Sequence, residues 1–280
     1  MANIMVKSLL PQGGNNTRKL SHAGAARIGK EKLYPFGLLL ILLLLWQGVC
    51  SISLVPAFLL PSPLNVAKAL WLAFPELLSH SGVTLLESLV GLFFGLLTAF
   101  LLAVLMDSSP LLYQGIYPIL VVSQTVPTVA LAPLLVLWLG YGILPKIVLV
   151  ALVCFFPLAV SLLSGFRSID PDTLGLFKAM GANSRQIFRH LKLPGAMPGF
   201  FAGLRVSVTY AIVGGVIAEW LGGQAGLGVY MTRVRKAYAY DKMFAVIVLI
   251  ILWSLTLIKI VDLLERRVNR WQYASEEKLN

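Results

Sequence analysis

Charge is scarce in this chain. Asp, Glu, Lys and Arg make up 12% of its 280 residues, where a soluble domain carries about a quarter. With a mean hydropathy of +0.83, that shortage excludes an ordinary water-soluble domain. Cysteine is scarce too: Cys50 and Cys154 lie in or beside apolar runs, which excludes a disulfide scaffold and suits buried small hydrophobes. The three histidines, His22, His80 and His190, are scattered without metal-ligand spacing. No GxxxxGK[ST] phosphate loop occurs, and no nucleophile, base and acid cluster in polar surroundings. The chain therefore reads as no enzyme, with no cofactor of its own, and its energy must come from elsewhere. The absence of an internal repeat counts against a carrier built of two similar halves.

Acidic residues are also outnumbered, 12 against 23 Lys and Arg, giving a net charge of +11. A nucleic-acid partner is excluded by where that charge sits: at the ends of apolar runs and in the connectors between them, where membrane orientation signals belong.

What the chain has is apolar length. Six segments can be drawn, at about 35–55, 82–106, 116–139, 143–165, 199–221 and 243–261, each near the 20 residues a helical crossing needs. The expected fold is an all-α polytopic membrane bundle of about six transmembrane helices. The division expected is a cytoplasmic tail over 1–34, a membrane domain over 35–265 and a second tail over 266–280. The leader is too long and mixed for a secretory signal and reads as a flexible tail before an uncleaved first helix. With the N-terminus inside, the leader, the 166–196 connector and the tail hold most Lys and Arg, so both termini are expected in the cytoplasm. Arg233, Arg235, Lys236 and Lys242 run against that rule; with Tyr230, Tyr238 and Tyr240 they suit a folded loop at the outer headgroups.

The spans carry their own marks. Gly91, Gly95 and Ala99 form a small-xxx-small row that permits close helix contact. Pro118, Pro127 and Pro133 in the third segment need neighbouring helices or a wet cavity to satisfy freed carbonyls. Gln124 and Thr125 either face a path there or hydrogen-bond between helices. Intramembrane ionisable residues are functional candidates. Glu219, beside Trp220 and the glycine-rich 222–226, reads as an outer gate, a strut for that loop, or a headgroup-level partner of an outer arginine. Glu87 and Arg205 are a candidate pair across helices.

The connector is the most informative stretch. Asp170-Pro171-Asp172 starts a helix, expected over 172–180 and ended by Gly181 in a left-handed conformation. Asn183 or Ser184 then caps a second helix, expected to stop before Pro194. Phe177 and Met180 share one face, and Ile187 and Leu191 another, giving apolar knobs on a basic background of Lys178, Arg185 and Arg189. Such a pair suits a docking surface for a soluble protein, or a helix lying flat on the headgroups.

These residues resemble a motif of the membrane subunits of ATP-binding-cassette importers, patterned E-A-A-x-x-x-G, nine residues, then I-x-L-P. Gly181 stands at the glycine, Ala182 opens the nine, and Leu191-Lys192-Leu193-Pro194 follow without a gap. Gly175-Leu176-Phe177 stands where the family has Glu-Ala-Ala. Leu60-Pro61-Ser62-Pro63, Pro127 with Ala132-Pro133-Leu134, residues 165–171, and Leu264-Glu265-Arg266-Arg267 with Trp271 are similar to the nitrate, sulfonate and taurine permease group. Ser123-Gln124-Thr125-Val126-Pro127, residues 141–157, 216–223 and 226–228 are most similar to permeases for thiamine precursors of the hydroxymethylpyrimidine type.

The resemblance implies a type I importer permease of the bacterial inner membrane that pairs with a second copy around a central path. It implies a connector, through Phe177, Lys178, Met180, Gly181, Ala182, Arg185, Ile187, Leu191, Leu193 and Pro194, seated in a cleft of a partner ATPase that holds ATP and magnesium. A separate extracytoplasmic binding protein would deliver the solute. The path or gate would include Gln124, Thr125, Pro127, Glu219 and Trp220.

Overall fold

In a computed structural model the described residues are 33–270, apart from 53, 54 and 57. The N-terminal leader and the residues from Trp271 onward, both parts of the orientation argument, lie outside them. The described residues form helices and short connections, with no strand among them. The chain divides into one unit through Leu64 and another from Asn65.

The first unit holds α1 (Leu33–Ser51). Its 38–45 run is Leu and Ile, and these side chains are exposed, as on a helix whose solvent is lipid rather than water.

Next come α2 (Pro63–Leu72), most of it in the second unit, and α3 (Phe74–Ser108), with Pro75 and Glu76 in its first turn. The 35 residues of α3 span about 52 Å at 1.5 Å per residue, more than the ~30 Å hydrocarbon layer. The sequence places a span only from residue 82; the helix begins earlier because its first turns, with Glu76, His80 and Ser81, continue out of the apolar layer.

The third apolar segment is not one straight span. It forms α4 (Pro110–Ser123) and α5 (Thr128–Leu139), bent by 99° at residues 124–127. Pro127 has no N–H to continue α4 and takes an extended ψ of 120° as the N-cap of α5. Ser123 and Thr125 donate their hydroxyls to the Leu120 and Val122 carbonyls at 2.7 and 2.8 Å, satisfying groups at the broken end.

The next helix, α6 (Leu144–Arg167), leads into the connector: α7 (Pro171–Ala179), the one-turn α8 (Ser184–Ile187) and a π-helical segment (Phe188–Lys192). Then follow α9 (Leu193–Gly222), α10 (Leu227–Lys236) and α11 (Tyr240–Val268). Among the described residues, five helical stretches are long and apolar enough to cross a membrane, or six where the bent α4–α5 pair counts as one span.

The core lies where α3, α6 and α9 meet. Small residues set their spacing: a Cβ on Gly91 would stand 2.5 Å from the Val150 Cβ, and one on Gly95 2.9 Å from the Ala151 carbonyl oxygen. On the other side of α6, a Cβ on Gly203 would stand 2.7 Å from the Ser161 Cβ. Around these crossings pack Ala99, Ala103, Val150, Leu158, Leu162, Phe201 and Val208. Cys154 is buried there and exchanges hydrogen bonds with Ser207, Sγ to the Ser207 carbonyl and Ser207 Oγ to the Cys154 carbonyl. Gly203→Leu is expected to force α9 off α6 and cost about 1–3 kcal/mol, read as a lower melting temperature in detergent. Gly115→Ala, with open space around it, is expected to melt with the wild type.

Candidate functional site

At one end of the bundle the connector folds from local signals. The Asp170 carboxylate caps α7, accepting from the backbone N–H of Asp172 and Thr173 and from the Thr173 hydroxyl at 2.9 Å. The Thr173 hydroxyl, then the two backbone donors, hold its pKa below the ordinary aspartate value. The cap's contribution is present above the unfolded pKa near 4 and fades as pH falls through the lower folded value. Gly181 sits at φ +81°, the left-handed turn expected of it. Asn183 closes a reciprocal capping box with Gln186, N–H to side-chain oxygen both ways at 2.8 and 2.9 Å.

The second connector helix does not stop before Pro194, contrary to the sequence expectation. It runs through the π-helical segment, where the Leu193 N–H donates to Phe188 O, and continues as α9. The π turn widens the backbone just before Pro194, so a ring that would end a regular helix opens the next one instead.

The connector is rooted firmly. Lys192 Nζ reaches both carboxylate oxygens of Asp107, at 2.8 and 2.9 Å. The Arg167 guanidinium lies 3.4 Å from the centre of the Tyr113 ring, and Phe166 packs against Phe188. A Cβ on Gly165 would stand 2.8 Å from Ala196 Cα, so the end of α6 and the start of α9 touch backbone to backbone. Farther along, Arg205 binds Asp262 at 2.6 Å and also Glu265, tying α9 to α11.

Of the residues expected to dock, Met180 and its neighbour Leu176 protrude, 77% and 60% exposed. Lys178, Gly181 and Arg185 are exposed, and Phe177, Ala182, Leu191, Leu193 and Pro194 half-buried. Ile187 is different: it is buried, packed inward as the hydrophobic foot of α8 rather than offered as a knob. The protruding pair is Leu176 on α7 and Met180, one turn on, at its C-cap.

The opposite end is organised around Glu219. It is 1% exposed and not paired with an outer arginine; Arg233 faces Glu76, at 3.7 Å. Glu219 Oε1 accepts from the Thr84 hydroxyl at 2.6 Å, and Oε2 accepts from the Gly228 N–H at 2.5 Å. Thr84 Oγ1 in turn accepts from the Leu227 N–H at 2.8 Å, and His80 Nδ1 accepts from the Gly226 N–H at 3.0 Å. The donor groups at the start of α10 are thus met by α3 and α9, with a carboxylate at a helix N-terminus. Gly226 has φ +120°, and a Cβ there would fall on the Glu219 carboxylate; only glycine fits.

The Glu219 carboxylate thus ties the Gly228 N–H at the start of α10, just after the 222–226 loop, to Thr84 of α3. Glu219→Gln keeps an acceptor for Gly228 and is expected to cost only about 1 kcal/mol, whereas Glu219→Leu strands two buried donors at about 1–3 kcal/mol each. Protease nicking in the loop and uptake assays distinguish them. Transport lost in the Gln variant with the loop still protected would show that the charge itself matters.

Glu87 does not pair with Arg205. Its partner is Lys146, Nζ to Oε1 at 2.6 Å, with both side chains buried. His80, Thr84 and Glu87 recur at helical spacing inside an apolar helix, the one sequence signal that points to this end of α3.

Along the side of the bundle a cavity of about 510 Å³ is lined by Gln124, Ser123, Thr128, Tyr210, Gly214 and others. Gln124 is brought to its wall; Thr125 and Pro127 are exposed beside it but do not line it. Trp220, 44% exposed, lines a separate pocket with Glu219 and Gln224.

A helical bundle with a broken span, a turn-and-cap connector at one end and a strutted loop at the other defines a multi-pass membrane permease. The family model described as "Binding-protein-dependent transport system inner membrane component" matches residues 91–270, and the chain belongs to that family. It is 32% identical over 243 residues to the formylaminopyrimidine transport permease protein ThiX of Halalkalibacterium halodurans, covering 86% of this chain and 97% of that one. It is 34% identical over 236 residues to the riboflavin transport system permease protein RibX of Chloroflexus aurantiacus, covering 84% and 88%. An inward-facing structure of the MetNI methionine ABC transporter superposes with a TM-score of 0.60 at 22% identity, covering 69% of this chain and 94% of that one. The chain is a non-enzymatic permease subunit of an ABC importer, a class that works with an ATPase and a binding protein.

Proposed function

We propose that this chain forms the membrane path for a thiamine pyrimidine precursor, as one of two copies flanking a central pore in the bacterial inner membrane. A partner ATPase, holding Mg-ATP, grips residues 171–194 from the cytoplasm, and an extracytoplasmic binding protein presents the solute at the Glu219 end. The membrane domain then covers about 35–265, with both termini cytoplasmic.

The observation that carries the reading is the connector's construction. An exposed apolar pair on α7 stands before a left-handed Gly181 and a capping box at Asn183. Beneath it, α6 and α9 meet at Gly165 and Ala196, and Lys192 locks onto Asp107. A displacement of α7 and α8 is thereby passed to two core helices together, since close-packed elements move as bodies rather than deform. The cavity beside Gln124, open on the side where α4 and α5 bend, faces the path formed with the second copy.

The substrate rests on the sequence match in the spans and on the ThiX relative. Riboflavin is the second reading, supported by the RibX relative; sulfonate, taurine and nitrate follow from the wider group. A thiamine auxotroph fed hydroxymethylpyrimidine is expected to grow only when this gene and its partner genes are present. Equal growth without them overturns the pyrimidine reading, and rescue of a riboflavin auxotroph instead supports the second.

A further inference from the structure

Glu87 of α3 and Glu219 of α9 meet in the interior of the bundle. Glu87 is 2% exposed and Glu219 1%, and a side-chain hydrogen bond joins them. We propose that this end of the molecule binds one proton, shared between the two carboxyl groups, and that loss of the proton as pH rises frees the 222–226 loop and the start of α10.

The contact itself requires the proton. Ionised carboxylates are acceptors only, and two of them brought together in a buried site do not both keep their charge. Glu87 shows the missing donor. Its Oε1 takes the Lys146 ammonium at 2.6 Å, while the buried Oε2 meets no N–H or O–H donor among the described residues. Buried acceptors are rarely left so, and a carboxyl proton from Glu219 supplies what is lacking.

Charge balance points the same way. Two buried carboxyl groups face one buried ammonium, that of Lys146. Glu219 is held by neutral donors, the Thr84 hydroxyl at 2.6 Å and the Gly228 N–H at 2.5 Å. One proton on the pair makes the cluster neutral; without it a net negative charge is sealed from water, which is costly. The other ionisable groups around this end do not cancel that charge. Glu76 of α3 and Arg233 of α10 face each other, both half exposed. Asp241 of α11 acts on Tyr230 of α10. Tyr230 and Tyr141, which shares a pocket with Glu219, are neutral phenols below about pH 10. His80 accepts the Gly226 N–H through Nδ1 and is neutral while it does so.

The same atoms couple the proton to the loop. Glu219 holds Gly228 directly and Leu227 through Thr84, and a Cβ on Gly226 would fall on its carboxyl group. Repulsion that drives Glu219 from Glu87 therefore pulls on the loop's closed end. In the transport reading above this end faces the binding protein, so the latch answers to extracytoplasmic pH; the proton site itself does not rest on that reading.

The test uses the purified permease–ATPase complex. Its infrared spectrum at neutral pH is expected to contain the carbonyl stretch of a protonated carboxylic acid, shifted in heavy water. The band is expected to be missing from Glu219→Gln and from Glu87→Gln, since each puts an amide donor where the proton stood. The second readout is protease nicking of the 222–226 loop. It is made in a His80→Gln background, because an opened His80 takes up a proton below about pH 6.5 and pulls the opposite way; the glutamine carbonyl still accepts from Gly226. Opening that releases one proton is expected to become about tenfold more frequent per pH unit from about pH 5 upward, levelling off where the closed pair itself loses the proton. Adding Glu219→Gln is expected to remove that slope and to serve as the control for the protease's own pH dependence.

A complex with no such band, or a band that both glutamine variants keep, overturns the inference. Equal slopes with and without Glu219→Gln overturn it too, and assign the opening to Lys146 or Tyr230 instead.

Discussion

Replacing Leu176 and Met180 together by aspartate is expected to weaken the grip of the partner ATPase roughly 100- to 1,000-fold. Both side chains protrude from α7, 60% and 77% exposed, so the fold gives up little packing when they change. In a docked cleft each is an apolar anchor, and anchors of this kind contribute about 2 kcal/mol apiece. About 4 kcal/mol is close to three powers of ten in affinity. ATP-dependent uptake falls with it, because α7 no longer follows the motor. The readouts are co-purification with the ATPase and uptake into vesicles, with melting temperature as the control. Gly181→Pro tests the same surface through the backbone: proline cannot reach φ +81°, so α7 and α8 lose their mutual orientation. A double aspartate variant that keeps both its ATPase and its uptake would count heavily against docking through the connector.

Lys146→Met is expected to be the most destabilising single change near the opposite end. It leaves the Glu87 carboxylate, 2% exposed, without its cation. Breaking a buried pair in this way costs about 3–5 kcal/mol, whereas replacing both members by apolar residues is often neutral. The paired variant Lys146→Met with Glu87→Leu is therefore expected to recover most of the loss. At 2–4 °C per kcal/mol, the single variant's apparent melting temperature falls by roughly 10 °C. A single variant that melts with the wild type would mean that Glu87 sheds its charge or finds water, and that the pair is not what holds α3 to the start of α6.

The connector was legible because its determinants are local. Asp170 before Pro171, a glycine at a position needing a left-handed turn, and an Asn–Gln capping box act within a few residues and leave the same marks in sequence and backbone. The six apolar segments were legible for the same reason, and Gly91 and Gly95 announced their close crossing by spacing. What sequence could not supply were partners brought in by tertiary packing. Glu87 and Lys146 lie 59 residues apart, and nothing along the chain favours that pairing over Glu87 with Arg205. Glu219 stood out as an intramembrane carboxylate, yet its role as a strut depends on Thr84 and Gly228 from elsewhere in the fold. Pro194 read as a stop because a regular helix cannot pass it; the π-helical turn that lets the chain through has no composition of its own. The sharp bend at 124–127 was foreshadowed by three prolines, but its angle goes with tertiary packing, α4 lying on α3 while α5 lies on α6 and α9.

In the proposed mechanism, energy from a partner reaches the solute path through residues 171–194. Reconstituting the chain in vesicles with its ATPase and binding protein, and replacing the phosphate-loop lysine of that ATPase, tests this most directly. Solute uptake is predicted to stop while the complex stays assembled. Uptake that continues at an undiminished rate without nucleotide turnover would contradict it.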